Sequence, residues 1–288
     1  MYFIGGIAGR YGKNINFVKL HMFKTNTVIV FTMQEKDNSL KKFYESFGRL
    51  QGHFHILEQS ISVELQLEYF KYSERMRTEN RPSALDEERY TILTGTLSDP
   101  DASDEELKES LVSLALSKDV KAYRFLEGYV RNAPERVKDW SELALMESRM
   151  GLESEFSDEK QIFISTGLGG KGDKLRFFTL LSSHGKQPFE EYQKKVIERE
   201  FEYYLSKKDC EIEKLDIRND YVSMVFLIPI RVDIKQALDA VIMECNQYGN
   251  FLSDIFTVTN VKILTEKEIR KILDKDSSSP AEENEVSV

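Results

Sequence analysis

QIFISTGLGGKGDKLRFFTLLSS, residues 161–183, decides how the rest of the chain is read. Two runs rich in β-branched and aromatic residues, 162–166 and 175–181, flank four glycines within six positions: Gly167, Gly169, Gly170 and Gly172. Runs of this kind on either side of a glycine cluster predict a β-hairpin with a wide tip. Upstream of it the apolar residues recur every three to four positions, and downstream strand and helix patterns alternate. The stretch is therefore expected to mark the seam between two domains.

At 288 residues the chain is long enough for about two domains. Its composition, 41% hydrophobic, 11% aromatic and 31% charged, suits packed cores under a well-solvated exterior. Cys210 and Cys245 lie far apart with no CxxC spacing, which points away from a disulfide framework or a zinc cluster and towards a cytoplasmic setting. Charge divides along the chain. Residues 1–33 carry four bases and no acid, residues 34–158 hold 17 Lys and Arg against 26 Asp and Glu, and residues 159–275 hold 19 of each. The last segment, 276–288, has four acids and no base and is expected to be a disordered tail. An acidic first domain and a neutral second one lack the basic footprint of broad phosphate-backbone binding, so nucleic acid is not expected as a partner.

No apolar run approaches the ~20 residues of a membrane helix, so no membrane partner is expected. The basic, glycine-rich leader 1–33 is expected to be an upstream extension, with Met1, Met22 and Met33 as alternative starts.

From 34 to 158 the pattern predicts an all-helical domain of antiparallel hairpins. Leu40, Phe43, Tyr44, Phe47 and Leu50 begin it, and Ile56, Ile61, Leu65, Leu67 and Phe70 continue it. Ser83 is expected to cap a helix over 84–97, and Ser103 with Glu106 forms a capping box ahead of Leu107, Leu111 and Leu114. Helices over 120–131 and from Val137 to the residue before Gly151 follow. Pro134, Trp140, Leu143 and Ala144, preceded by Ala122 and Leu126, resemble the opening of a tetratricopeptide unit, which implies stacked helix hairpins.

From 159 to 275 the order is β-α-β-β-α-β, which predicts a ferredoxin-like domain with an additional N-terminal hairpin strand at 162–166. The expected elements are a strand at 175–182, a helix opened by Pro188 with Phe189, Tyr192, Val196, Phe201 and Tyr204 on its apolar stripe, strands at 210–218 and 221–230, a helix capped by Asp233, and a strand at 254–264. Thr265 with Glu268 opens a last helix. Both faces of the strands at 175–182 and 221–230 are apolar, so the face away from the two helices needs a cover. The helical domain, the added hairpin and a second copy of the chain are the candidates.

Candidate chemistry is sparse. Gly167, Gly169, Gly170, Lys171 and Lys174 have the ingredients of an anion cradle, but the segment runs into a strand, and phosphate loops open a helix. His53 and His55 are two apart, a poor metal spacing on a helix, with no third ligand nearby. Glu190, Glu191, Glu198, Glu200 and Glu202 with Lys194, Lys195 and Arg199 read as a solvated helix face. No nucleophile stands beside a base, so no catalytic residue, metal or cofactor is expected. The expected function is that of a non-enzymatic adaptor with a protein partner. The alternatives are a homodimeric regulatory module that senses a small anionic ligand at residues 167–174, and an RNA-associated protein.

Overall fold

The computed structural model describes residues 19–22, 27–32, 34–35, 53–79, 85–156 and 161–275. The helix expected over 38–52, the Ser83 cap and the tail from 276 lie outside them. The described residues form a mixed fold of eight α-helices and two sheets. None of these helices is long and apolar enough to cross a membrane.

The first sheet is built around the opening stretch. Strands β1 (Lys19–Met22), β2 (Thr27–Thr32) and β4 (His53–Ile56) join β5 (Gln161–Ser165) in the order β1-β2-β5-β4. β5 runs parallel to both neighbours, with Phe163 opposite Val28 and His55. The hairpin expectation is thereby corrected: β5 does not pair with the strand that follows the glycines. The physical reason is burial on both faces. Ile162 and Ile164 enter one core while Phe163 between them enters another, the continuous apolar run typical of a central parallel strand. The chain before residue 159 is likewise not all helical, and residues 53–56, expected in a helix, form a strand of this sheet.

A helical layer follows. α1 (Val63–Glu79) buries Val63, Gln66, Tyr69, Phe70, Ser73 and Met76, the three-and-four spacing of one helix face. α2 (Glu87–Ser98) is capped by Asp86, and α3 (Asp104–Leu116) carries the expected Ser103–Glu106 capping box. α4 (Val120–Val130) is capped by Asp119. A 3-10 turn at Glu135–Val137 leads into α5 (Lys138–Phe156), which runs on through Gly151, a buried position where a Cβ would lie 3.2 Å from Lys118 Cγ. Trp140, Leu143 and Ala144 are all core positions.

One buried charge ties this layer together. Glu147 of α5 accepts hydrogen bonds from Tyr69 Oη (2.7 Å), Ser73 Oγ (2.6 Å) and Arg77 Nη2 (2.8 Å), all on α1. Burial, then the Glu147 charge, pushes the Tyr69 hydroxyl well above its ordinary value.

The second sheet is antiparallel throughout. β3 (Gln34–Glu35), β7 (Lys174–Ser183), β8 (Glu211–Ile217), β9 (Tyr221–Pro229) and β10 (Leu252–Thr259) run in the order β3-β10-β7-β9-β8, and the two-residue β6 (Gly170–Lys171) pairs with β7. Between its strands come α6 (Glu191–Ser206), with Glu190 rather than Pro188 at the N-cap, and α7 (Ile234–Asn246), capped by Asp233. The β-α-β-β-α-β order of elements is thus present. Phe177, Leu181, Val222, Met224 and Phe226 pack under these two helices.

The opposite face is covered from within. Leu264, together with Ile269 and Leu273 of α8 (Glu266–Lys275) and Leu168 of the glycine segment, packs on Phe178, Leu180, Tyr221 and Val225. α8 is held by Tyr221 Oη donating to Glu266 (2.5 Å) and by Arg270 donating to Asp220 (2.8 and 3.0 Å). The face for which a second copy was one candidate cover is already occupied, by α8 and by Leu168 of the glycine segment.

Candidate functional site

The glycines approach backbone closely on three sides. A Cβ on Gly167 would lie 2.0 Å from the Val261 carbonyl oxygen, one on Gly169 2.3 Å from that of Glu58, and one on Gly170 2.3 Å from that of Lys174. Gly169 also has φ +67°, where an L side chain is strained. Only glycine lets the segment after β4, the segment after β10 and β7 meet here.

The amides that made this stretch a candidate cradle are committed internally. Leu168 N donates to Asn260 O, Gly169 N to Thr166 O, Gly170 N to Glu58 O and Gly172 N to the Glu58 carboxylate. The lysines are committed too. Lys174 Nζ reaches Asp209 (2.9 Å) and Glu211 (2.7 Å), Lys171 Nζ reaches Glu211 (3.1 Å), and Arg176 bridges Glu213 (2.5 Å) and the Leu168 carbonyl (2.7 Å). Hydrogen bonds from Lys174 and then Lys171 hold the Glu211 carboxyl below its ordinary value. Three cations face three acids across the sheet, and an incoming anion would have to displace those partners.

Other sequence candidates are equally absorbed. His55 stacks on Phe163 (4.5 Å between centroids) and contacts Glu153 (3.2 Å). Among the described residues no group of three His, Cys, Asp or Glu is arranged to hold a metal ion. Burial pushes the Cys210 thiol to about 11 and the Cys245 thiol to about 12, so neither is a ready nucleophile.

An exposed group of aromatic and cationic side chains on α6 and α7 was not legible as a site. α6 buries Val196, Ile197, Phe201 and Leu205 under it. Tyr192, expected on that buried stripe, is instead 53% exposed, and Tyr203 is 52% exposed. Tyr192, Arg199, Tyr203 and Lys207 follow one another at intervals of seven, four and four residues, so they share one helix face over about 22 Å. Tyr248, just past α7 and 50% exposed, joins them: the Arg199 guanidinium lies 5.2 Å from its ring centroid, and a Cβ on Gly249 would sit 3.6 Å from Tyr192 Oη. Lys207 Nζ lies 3.8 Å from the Tyr203 centroid and 5.3 Å from that of Tyr204. Cation–π attraction holds each cation at a ring. Arg199 is further anchored by Glu200 Oε1, which accepts from its Nε (2.9 Å) and Nη2 (2.6 Å). That bond raises the Arg199 value. The signal was in the sequence as the 7-4-4 spacing, masked by Glu190, Glu191, Glu198 and Glu202 on the same helix.

No family profile matches the sequence, and no curated protein matches it. Among solved structures the chain is similar in part to a candidate transposase from Deinococcus radiodurans R1, with TM-score 0.30 and 14% identity over 38% of this chain and 92% of that one. It is also similar to a REP-associated tyrosine transposase bound to a REP hairpin, with TM-score 0.27 and 13% identity over 36% of this chain and 65% of that one. The reading as a non-enzymatic adaptor with a protein partner, and the exclusion of nucleic acid as a partner, are both withdrawn.

Proposed function

We propose that the chain binds single-stranded nucleic acid along Tyr192, Arg199 and Tyr203 of α6 and its C-cap Lys207, with Tyr248 beside them. The underlying scaffold is read as a ferredoxin-like unit over β7 to β10, in keeping with its β-α-β-β-α-β order and the spatial order β10-β7-β9-β8. One observation carries the reading: three half-exposed tyrosine rings on one surface, with the Arg199 and Lys207 cations set against two of them. Exposed aromatic rings cost free energy in water, and flat rings flanked by cations are the chemistry on which unpaired bases stack beside a phosphate backbone. A duplex hides its base faces and would gain little here.

Charge sets the strength. The equal count of acids and bases over 159–275 gives no long-range attraction, so affinity would come from stacking. With two cations at the site, the logarithm of affinity should fall against the logarithm of salt with a slope of about −1.4 for a single strand. The test is fluorescence anisotropy with a labelled single-stranded 20-mer, the same sequence as a duplex, and the variants Tyr203→Ala and Tyr248→Ala. Each variant should weaken single-strand binding about 5- to 150-fold, since a base stacked on an aromatic contributes roughly 1–3 kcal/mol. No single-strand binding at low salt, or equal binding of the duplex, overturns the reading.

A further inference from the structure

We propose that Glu200 is a positioning residue of this site: it holds the Arg199 guanidinium beside Tyr248 so that a base meets a preordered surface. The inference rests on the nucleic-acid reading above and names the residue that shapes its binding surface.

Adjacent helix residues point about 100° apart, so Arg199 and Glu200 do not face each other by default. Glu200, expected on the solvated face, is instead 8% exposed and near enough to Cys245 of α7 for its charge to act on that thiol, whereas the Arg199 side chain is 60% exposed. The two meet because the guanidinium folds back on its neighbour, giving both Nε and Nη2 to the single oxygen Oε1. A carboxylate buried this far needs a charged partner, so the fold-back is enforced from below. Its consequence is on the surface, where the same guanidinium comes to lie 5.2 Å from the Tyr248 centroid. A free arginine on an exposed helix samples many rotamers and loses them on binding. One anchored beforehand has already lost them.

Titrations of labelled oligodeoxythymidine into the full-length chain test this with E200Q, R199A and the double variant. E200Q keeps shape and removes the charge, and should weaken binding about two- to tenfold, the worth of one preordered side chain. In the R199A background E200Q should add nothing. An equal E200Q effect in both backgrounds, or none in the wild type, overturns the proposal. R199K covers the case of a misfolded E200Q: it keeps the charge without the two-nitrogen fork, and should bind more weakly than the wild type while retaining the wild-type salt slope. Wild-type affinity in R199K refutes the positioning role. If the wild type binds no oligonucleotide, the functional reading is what has failed. The positioning is then read from the Arg199 Nε–Hε signal, which should shift and exchange faster in E200Q; an unchanged signal refutes it.

Discussion

Replacing Gly169 with alanine, beside Gly172→Ala as its partner experiment, separates a packed crossing of three segments from a free loop tip. Both glycines have positive φ, +67° and +59°, so each alanine carries a similar backbone strain of about 1–2 kcal/mol. They differ in surroundings. Nothing lies within 4 Å of a Cβ on Gly172, but a Cβ on Gly169 meets the backbone oxygens of Glu58 at 2.3 Å and Gln59 at 2.5 Å. Those oxygens cannot rotate away as a flexible side chain would. Retreat of residues 58–59 breaks the Gly170 N to Glu58 O bond, and leaving one such buried pair unmade costs about 1–3 kcal/mol. Gly169→Ala should therefore lose roughly 2–5 kcal/mol in all, about 2 kcal/mol more than Gly172→Ala. With a urea slope of about 2–3 kcal/mol/M, the two midpoints should differ by about 0.7–1 M. Equal midpoints would mean that the segment does not pack against residues 58–59, and the account of the glycines would be wrong.

Two further outcomes follow from the same geometry. Glu147→Ala removes the acceptor shared by Tyr69, Ser73 and Arg77 and should cost about 3 kcal/mol, at the low end for a buried pair because the Arg77 side chain is 28% exposed. Calorimetry should show this as a fall in Tm of about 6–12 °C, and a fall below about 2 °C would contradict the network. Hydrogen bonds from Lys262 and then Thr265 lower the Glu268 carboxyl from an ordinary 4.5 to about 2, which places the stabilisation of the α8 start above pH 4.5 and removes it as pH falls towards 2. The urea midpoint of the wild type should exceed that of Glu268→Gln at pH 6 and converge on it near pH 2, and a gap that widens on acidification would refute this sign.

The sequence carried local signals well where the chemistry is local. The Ser103–Glu106 and Thr265–Glu268 boxes and the Asp233 cap need only neighbours in the chain, and all three form. Partners far along the chain were invisible. An apolar run such as 162–165 suits a hairpin strand or a central parallel strand equally, and the choice was made by residues 27–32 and 53–56, more than a hundred positions upstream. The second sheet face posed a clear question from its two-sided apolar pattern, and only the packing of Ile269 and Leu273 on Phe178 and Val225 answered it. The α6 surface was misread for a related reason. Tyrosine counts as apolar in a periodicity, so Tyr192 was placed on the buried stripe beside Tyr204, which does pack against the core, while the acids nearby made the helix look merely solvated.

Photo-crosslinking tests the central claim most directly. A bromodeoxyuridine-substituted single strand is irradiated on the full-length chain, and the joined peptides are mapped by mass spectrometry. Stacking on the α6 surface predicts adducts at Tyr192, Tyr203 and Tyr248, lost from the Tyr203 peptide in Tyr203→Ala while the others persist. Adducts confined to other surfaces, or none under conditions where the strand is bound, would contradict it.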